Sequence, residues 1–213
     1  MNELATARPS GRRAEAARND ARILDAARGV FVANPGAPIS AVAKRAGVGI
    51  SALYRRYSSK EELLRHLCDD GLDRYIAAVE AALADDGDPW AAFTGFMRRV
   101  VDADVHSLTL RLAGTFTPDE DLYRKAEKGQ ELNLRLFERT KVSGALRRDV
   151  VVDDLPFLFE QVASVRAKDD EDRTQELRHR YLTLLLDALR APATSPLPGP
   201  APSWAEINQR WQT

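Results

Sequence analysis

Only one cysteine, Cys68, occurs in the chain, so no internal disulfide can hold the fold and stability has to come from a buried core. Histidine is nearly as scarce. His66, His106 and His179 are scattered, and His66 and Cys68, two positions apart, would diverge around a helix, so no metal site is expected. No apolar run approaches the ~20 residues that a membrane-spanning helix needs, and the polar start MNELATARPSGRR lacks the apolar centre of a secretory signal. Together these shortages make the cytoplasm the expected location. Catalytic patterns are missing too. The Ser, His and Asp residues form no nucleophile motif, and Gly47-x-Gly49 lacks the preceding strand that a phosphate loop requires. Acidic pairs such as Asp69-Asp70, Asp85-Asp86 and Asp153-Asp154 read as helix caps or solvated faces. Binding rather than bond making is the expected chemistry, with no enzyme activity and no cofactor.

What is present suits a soluble globular chain: 213 residues, 44% hydrophobic and 30% charged. The near-neutral total of −1 hides a division. Residues 1–67 hold 12 Lys and Arg against 6 Asp and Glu, a net of +6, while residues 68–213 hold 19 against 26, a net of −7. A basic segment is joined to an acidic one, as expected if the first sits on phosphates.

The basic segment contains the stretch PISAVAKRAGVGISALYRRYSSKEELL, Pro38 to Leu64. Ile39, Val42, Ala43 and Ala46 form one helical stripe, which Gly47 stops because a glycine tolerates the positive φ of a helix end. Val48 is the apolar residue of the turn. A second short helix starts near Gly49, with Leu53 and Tyr57 on its packed face and Ser51, Tyr54 and Arg55 on the other. This is the outline of a helix-turn-helix. Ser59-Lys60-Glu61-Glu62 then has capping-box spacing ahead of Leu63-Leu64. Upstream, Ile23, Leu24, Ala27, Val30 and Phe31 form the stripe of a bracing helix from Asn19 to Ala33.

AGVGISALYRRYSSKEELL, preceded by RILDAARGVFVANPGAPISAVAKR, resembles the DNA-binding domain of the TetR family of bacterial transcription regulators, over residues 18–67. The tail RYLTLLLDALRA is similar to the last helix of many members. By that resemblance Tyr54 and Lys60 match the positions that hold phosphates. Gly49, Ile50, Ser51, Ala52 and Arg55 occupy the outward start of the recognition helix, Ser40 lies near the backbone at the start of helix two, and Arg56 reaches phosphate or base. Ile50 and Ala52 depart from a polar reading surface, so specificity is expected to lean on Arg55 with guanine and on apolar contacts with thymine methyls.

Residues 1–17 are Arg-rich without apolar periodicity and read as a flexible basic arm, with Arg8, Arg12, Arg13 and Arg18 available to phosphate or minor groove. After Ser59 a longer helix carries Leu63, Leu64, Leu67, Leu72, Tyr75, Ile76, Val79 and Leu83 across the charge boundary. Asp88-Pro89 starts another helix, with Trp90, Phe93, Phe96, Met97, Val100 and Val101. A short element follows from about Leu108 to Phe116. Thr117-Pro118-Asp119-Glu120 opens a helix through Leu122, Tyr123, Ala126, Leu132, Leu136 and Phe137, which Gly144 ends. Two more helices begin near Asp153-Asp154 and after the acidic run 169–172. Residues 191–202 are a Pro-rich linker, and Ser203-Trp204-Ala205-Glu206 caps a short terminal helix containing Ile207 and Trp211. No stretch alternates as a strand does. The fold class is therefore all-α: about nine helices plus a possible short C-terminal one, with the helix-turn-helix domain at 18–67, a helical ligand-binding and dimerisation domain at 68–190, and linker and terminal helix at 191–213.

One recognition helix covers only a few base pairs, so the resemblance implies a homodimer on a pseudo-palindromic operator. Its interface is expected on the last two long helices, at Leu155, Leu158, Val162, Leu177, Tyr181, Leu184, Leu185 and Ala188. A small-molecule effector is expected in the middle of the chain, near Trp90, Phe93, Met97, His106, Arg111, Phe116, Tyr123, Phe137 and Phe159, its binding opposing that of DNA. The expected activity is that of a ligand-released repressor. Two other readings stay open: control by a protein partner or without ligand, and a helical binding module whose helix-turn-helix is structural only.

Overall fold

The computed structural model of the chain describes residues 11–112, 115–168, 170–193 and 195–209, apart from the side chains of residues 11–14, 16, 17, 109–111 and 208. Arg8, Arg12, Arg13, Arg111 and Trp211 therefore lie outside the described residues or side chains. Ten helices and no strand occur among the described residues, and the chain divides into two compact units, Met1–Leu67 and Cys68–Thr213. The division coincides with the change of charge sign.

In the N-terminal unit α1 spans Gly11–Ala33, α2 Ile39–Ala46 and α3 Ile50–Arg56, followed by the first two turns of α4, Lys60–Leu83. Helix α1 begins eight residues before the expected Asn19, within the segment read as a flexible arm. The run GRRAEAAR explains this: alanine and arginine favour helix without needing an apolar stripe, so propensity extended what periodicity could not show. Ile23, Ala27 and Phe31 of α1 are buried with Val42, Leu53, Tyr57, Leu63, Leu64 and Leu67, a core drawn from all four helices. Gly47 ends α2 at φ +66°; its N–H and that of Val48 return to the carbonyls of Lys44 and Ala43, closing the chain reversal. Arg22 of α1 donates to the carbonyl of Ala46 at 2.8 Å, so the same helix end is also held from α1. The capping box at α4 is shifted by one residue. The Ser59 hydroxyl accepts from the Glu62 N–H, but the Glu62 carboxylate accepts from the N–H and hydroxyl of Ser58 instead of Ser59, which holds Glu62 below the usual carboxylate range.

In the C-terminal unit α4 continues to Leu83, then α5 spans Pro89–Asp102, α6 Val105–Leu112, α7 Glu120–Val142, α8 Asp154–Ser164, α9 Glu171–Leu189 and α10 Trp204–Asn208. The start signals act as read: Asp88 caps α5, Asp119 caps α7, and Ser203 with Glu206 forms a complete capping box on α10. Two starts differ. Asp153 makes no side-chain cap: its carboxylate accepts the Trp204 N–H instead, while the neighbouring Asp154 carboxylate accepts from the Val151 N–H. Asp170 caps α9, so Glu171 and Asp172 are its first turn, not loop, where carboxylates suit the helix dipole.

The core joins Phe93, Phe96, Met97 and Val100 of α5 to Leu136 and Phe137 of α7, Leu155, Phe159 and Val162 of α8, and Leu182 and Leu186 of α9. Two arginines replace apolar contacts. Arg139 donates to the carbonyls of Ala82, Leu83 and Asp85 at 2.7–3.1 Å, satisfying the C-terminal end of α4. Arg178, 1% exposed, donates to Asp104 Oδ1 at 2.8 Å, to Ser107 Oγ at 3.1 Å, and to the carbonyls of Ala163 and Val165. The Pro-rich segment is tied down by Asp149, which pairs with Arg147 and accepts the Leu197 N–H, while Arg147 donates to the Ser195 carbonyl. Arg147 first, and then the Leu197 N–H, hold the Asp149 carboxyl well below its usual range.

Candidate nucleic-acid interface and ligand cavity

Helix α3 turns Leu53 into the core, with Tyr57 buried just beyond its end, so the rest of its surface faces outward. Ile50, Ser51, Ala52, Tyr54, Arg55 and Arg56 are all exposed, as are Gly49 at its N-cap and Ser40 in the first turn of α2. Tyr54 is 49% exposed. Its phenol therefore projects from the surface and is not one of the packed aromatics of the unit. Arg56 is less available than its exposure suggests. It forms an ion pair with Asp20 of α1 at 2.5 Å, and that bond raises its already high pKa. Lys60 is half-buried: its ammonium donates to the Pro35 carbonyl at 2.8 Å and sits 5.1 Å from the centre of the Phe31 ring.

The C-terminal unit holds a partly open cavity of about 440 Å³. One face of α4 (Cys68, Gly71, Leu72, Tyr75) and one face of α7 (Leu122, Tyr123, Ala126, Gly129, Gln130, Asn133) form two adjoining walls, at the one-turn spacing expected of helix faces. Val105, His106 and Leu108 of α6, Asp153 and Glu160 near α8, and Trp204 and Ile207 of α10 complete it. At Gly129 the two helices pack closely: a Cβ there would stand 3.5 Å from the Tyr75 ring, in ordinary van der Waals contact.

Inside, His106 stacks on Phe159 with centroids 4.5 Å apart and meets the edge of Tyr75 at 6.1 Å. Part of its ring faces the cavity, but the walls screen it from bulk water, and this burial lowers its pKa to about 4. It is neutral at physiological pH. His106 Nε2 and Asn133 Oδ1 are enclosed and have no hydrogen-bond partner among the described residues. Burial pushes the Cys68 thiol up to about 12, so it is an unreactive apolar lining group. Asp153 is also raised, first by burial and further by Asp154, while the backbone N–H of Trp204 offsets part of this by donating to its carboxylate.

Comparison with known proteins gives the architecture a place. The family model for bacterial regulatory proteins of the tetR family matches residues 23–67, and that for the C-terminal domain of SbtR-like transcriptional regulators matches residues 88–191. The chain belongs to the TetR family of bacterial transcription regulators. It is therefore a DNA-binding regulator, and the family is one of regulators, not enzymes. A TetR regulator of Streptomyces coelicolor superposes with a TM-score of 0.57 at 25% identity, over 82% of this chain and 99% of that one. One from Mycobacterium vanbaalenii gives 0.56 at 27% identity, over 84% and 99%. The TetR-like regulator LfrR of Mycobacterium smegmatis, solved with proflavine, shares the fold at 0.58 and 23% identity, over 85% and 99%. No curated protein matches the chain in sequence.

In this TetR-family regulator the expected DNA-facing residues are gathered on one helix and its flanks, but the expected effector residues are divided. His106 and Tyr123 line the cavity. Phe93, Met97, Phe137 and Phe159 are enclosed in the core, and Trp90 packs against it while facing Arg190. Phe116 is buried outside the cavity lining. Of the large aromatics expected as lining, Phe93, Phe137 and Phe159 lie in the buried core, while Tyr123 lines the cavity, together with Tyr75, Trp204 and smaller residues such as Gly71, Ala126 and Gly129. Tyr75, Asn133, Gln130 and Trp204 were missed. The signal for Asn133 was present, a polar residue on an otherwise apolar helix face between Gly129 and Leu136.

The expected interface residues divide as well. Leu155 and Val162 are enclosed in the protomer's own core, and Leu158 packs against it, because α8 is covered by α5, α6 and α9. Helix α9 carries two apolar stripes. Leu182, Leu186 and Leu189 face the core, while Tyr181 (46% exposed), Leu184 (56%) and Ala188 face outward, with Leu177 and Leu185 half-buried. Among the described residues no group of three His, Cys, Asp or Glu side chains could hold a metal, and no helix is long and apolar enough to cross a membrane.

Proposed function

We propose that the protein is a ligand-released repressor that binds a pseudo-palindromic operator as a homodimer. The observation that carries the ligand response is the cavity, whose volume falls in the ~300–1,000 Å³ range of small-molecule sites and which holds buried polar atoms without partners among the described residues. The outward stripe of α9 supports the homodimer: a wide unpartnered apolar row suits helix pairing across a two-fold axis. The outward surface of α3 supports operator reading, with Arg55 on guanine, Ile50 and Ala52 against thymine methyls, and Tyr54, Ser40 and Lys60 on the phosphate backbone. Gly49 and Ser51 are close to the duplex, and Arg56 has donors left beyond its bond to Asp20. Helix α4 runs from core residues Leu63, Leu64 and Leu67 into the cavity wall at Cys68 to Tyr75. A ligand that displaces it acts on an element common to both units, and DNA affinity falls in exchange.

A cavity of this size weighs against control by a protein partner alone, and exposed Tyr54 and Arg55 weigh against a purely structural helix-turn-helix. The test is selection of bound fragments from a genomic DNA pool, followed by footprinting. An inverted repeat whose preferred base is relaxed at one position per half-site by Arg55→Ala supports the reading. Binding without sequence preference sinks it.

A further inference from the structure

The class of ligand can be read from the same cavity, on the premise that the cavity holds the effector. Charge comes first. Among the described lining residues there is no lysine or arginine, His106 is neutral, and the formal charges on the wall are the carboxylates of Asp153 and Glu160. A carboxylate or phosphate ligand would be desolvated beside groups of its own sign. A cation is not required either, because Asp153 already accepts the Trp204 N–H and Glu160 is engaged within the protein.

Shape and hydrogen bonding come next. Leu72, Val105, Leu122 and Ile207 offer apolar contact, and Tyr75 and Trp204 offer ring faces and edges. Against this lining, Asn133 Oδ1 is a buried acceptor with no donor among the described residues, on a residue only 5% exposed, and His106 Nε2 is a second enclosed polar atom without a described partner. An acceptor left bare in such a place costs free energy that a ligand donor would recover. A hydroxyl suits both atoms, since its one proton goes to Asn133 Oδ1 while its oxygen accepts from His106 when the neutral ring carries its hydrogen on Nε2.

We infer that the effector is an uncharged, largely apolar ring compound bearing a hydroxyl, which donates to Asn133 Oδ1 inside the cavity walled by Tyr75, His106 and Trp204.

The experiment is calorimetric titration of the full chain with four probes of one shape: 4-phenylphenol, 4-methoxybiphenyl, biphenyl-4-carboxylate and 4-phenylbenzylammonium. The phenol is expected to bind about tenfold tighter than the methoxy compound, which lacks the donor, with both charged probes weaker still. Asn133→Leu is expected to erase the preference of phenol over methoxy. His106→Phe, which keeps the stack on Phe159, gives a second variant with a partial loss. Tightest binding by either charged probe, or equal binding of phenol and methoxy compounds, overturns the assignment and leaves the cavity as an effector site. Binding of none of the four overturns both. The phenol preference together with unchanged operator affinity upholds the ligand class and removes the effector role.

Discussion

Arg178 shows what a single side chain can decide. Its guanidinium is enclosed, and all its described contacts are to acceptors: a carboxylate, a hydroxyl and two carbonyls that would otherwise be bare. Asp104, its ionic partner, is held at φ +50°, a conformation that aspartate and asparagine tolerate better than most residues. Arg178→Leu leaves that carboxylate mostly buried and unpaired, and a loss of about 3 kcal/mol in urea unfolding is expected. Adding Asp104→Asn should recover part of it, because the stranded charge is removed. His106 adds a pH dependence of its own. Its pKa is lowered to about 4 when folded against about 6.5 unfolded, so between those values the unfolded chain binds the extra proton and stability falls as pH falls. The size is roughly 3 kcal/mol at most, from about 1.4 kcal/mol per unit of pKa. Urea unfolding of the wild type and His106→Phe from pH 7 to pH 4.5 checks this: the variant should lose the slope in that window. Glu62 and Asp149, held low, act in the opposite sense to a raised group. Their contribution is complete at neutral pH and fades only below the ordinary carboxylate range.

At the scale of the helix, α9 and α10 have the clearest consequences. The outward stripe of α9 is apolar and uncovered by the described residues, so a charge placed there should harm the proposed association while leaving the fold intact. Leu184→Glu, at a position 56% exposed, is expected to leave the unfolding midpoint of the isolated protomer nearly unchanged and to shift the sedimentation profile from the proposed dimer to monomer. Helix α10 lies beyond the span matched by the family's C-terminal domain, yet it supplies Trp204 and Ile207 to the cavity. It is held there by its capping box, by the Asp153 carboxylate and by the Asp149 anchor on the preceding segment. Removing residues 192–213 should leave operator binding in place and weaken 4-phenylphenol binding about tenfold, the worth of one aromatic wall. Titration of the shortened chain measures it.

Across the molecule, charge is partitioned by unit: +6 on residues 1–67 and −7 on the rest. Operator affinity should therefore drop steeply and linearly on a logarithmic scale as salt rises, while ligand affinity, set in a cavity whose described lining has no cation, should hardly move. Fluorescence anisotropy of a labelled operator and calorimetry of the phenol probe, both repeated over a salt series, separate the two.

Much of this was legible in the chain because it is local. Gly47 stops α2, Asp88-Pro89 starts α5, Ser203 and Glu206 cap α10, and Leu53 with Tyr57 sets which face of α3 looks outward; each depends on residues a few positions apart. The family resemblance adds to these signals for the same reason, as an ordered local pattern. What lay beyond the sequence depends on which faces meet. An aromatic residue looks alike in a core and in a pocket wall, so Phe93, Phe137 and Phe159 could not be told from lining residues until the helices were assembled. Asn133 could not be known to lack a partner, nor Arg178 to have so many, since their neighbours come from elements 70 or so residues away or more than one helix face. Sequence by itself determined most of the helices, the ends that a local cap or stop signal marks and the DNA-binding class, because hydrogen bonds and apolar periodicity along one chain are enough for those. Only the tertiary structure decided where the cavity opens and which stripe of α9 is left uncovered, because packing chooses among faces that are equally apolar beforehand.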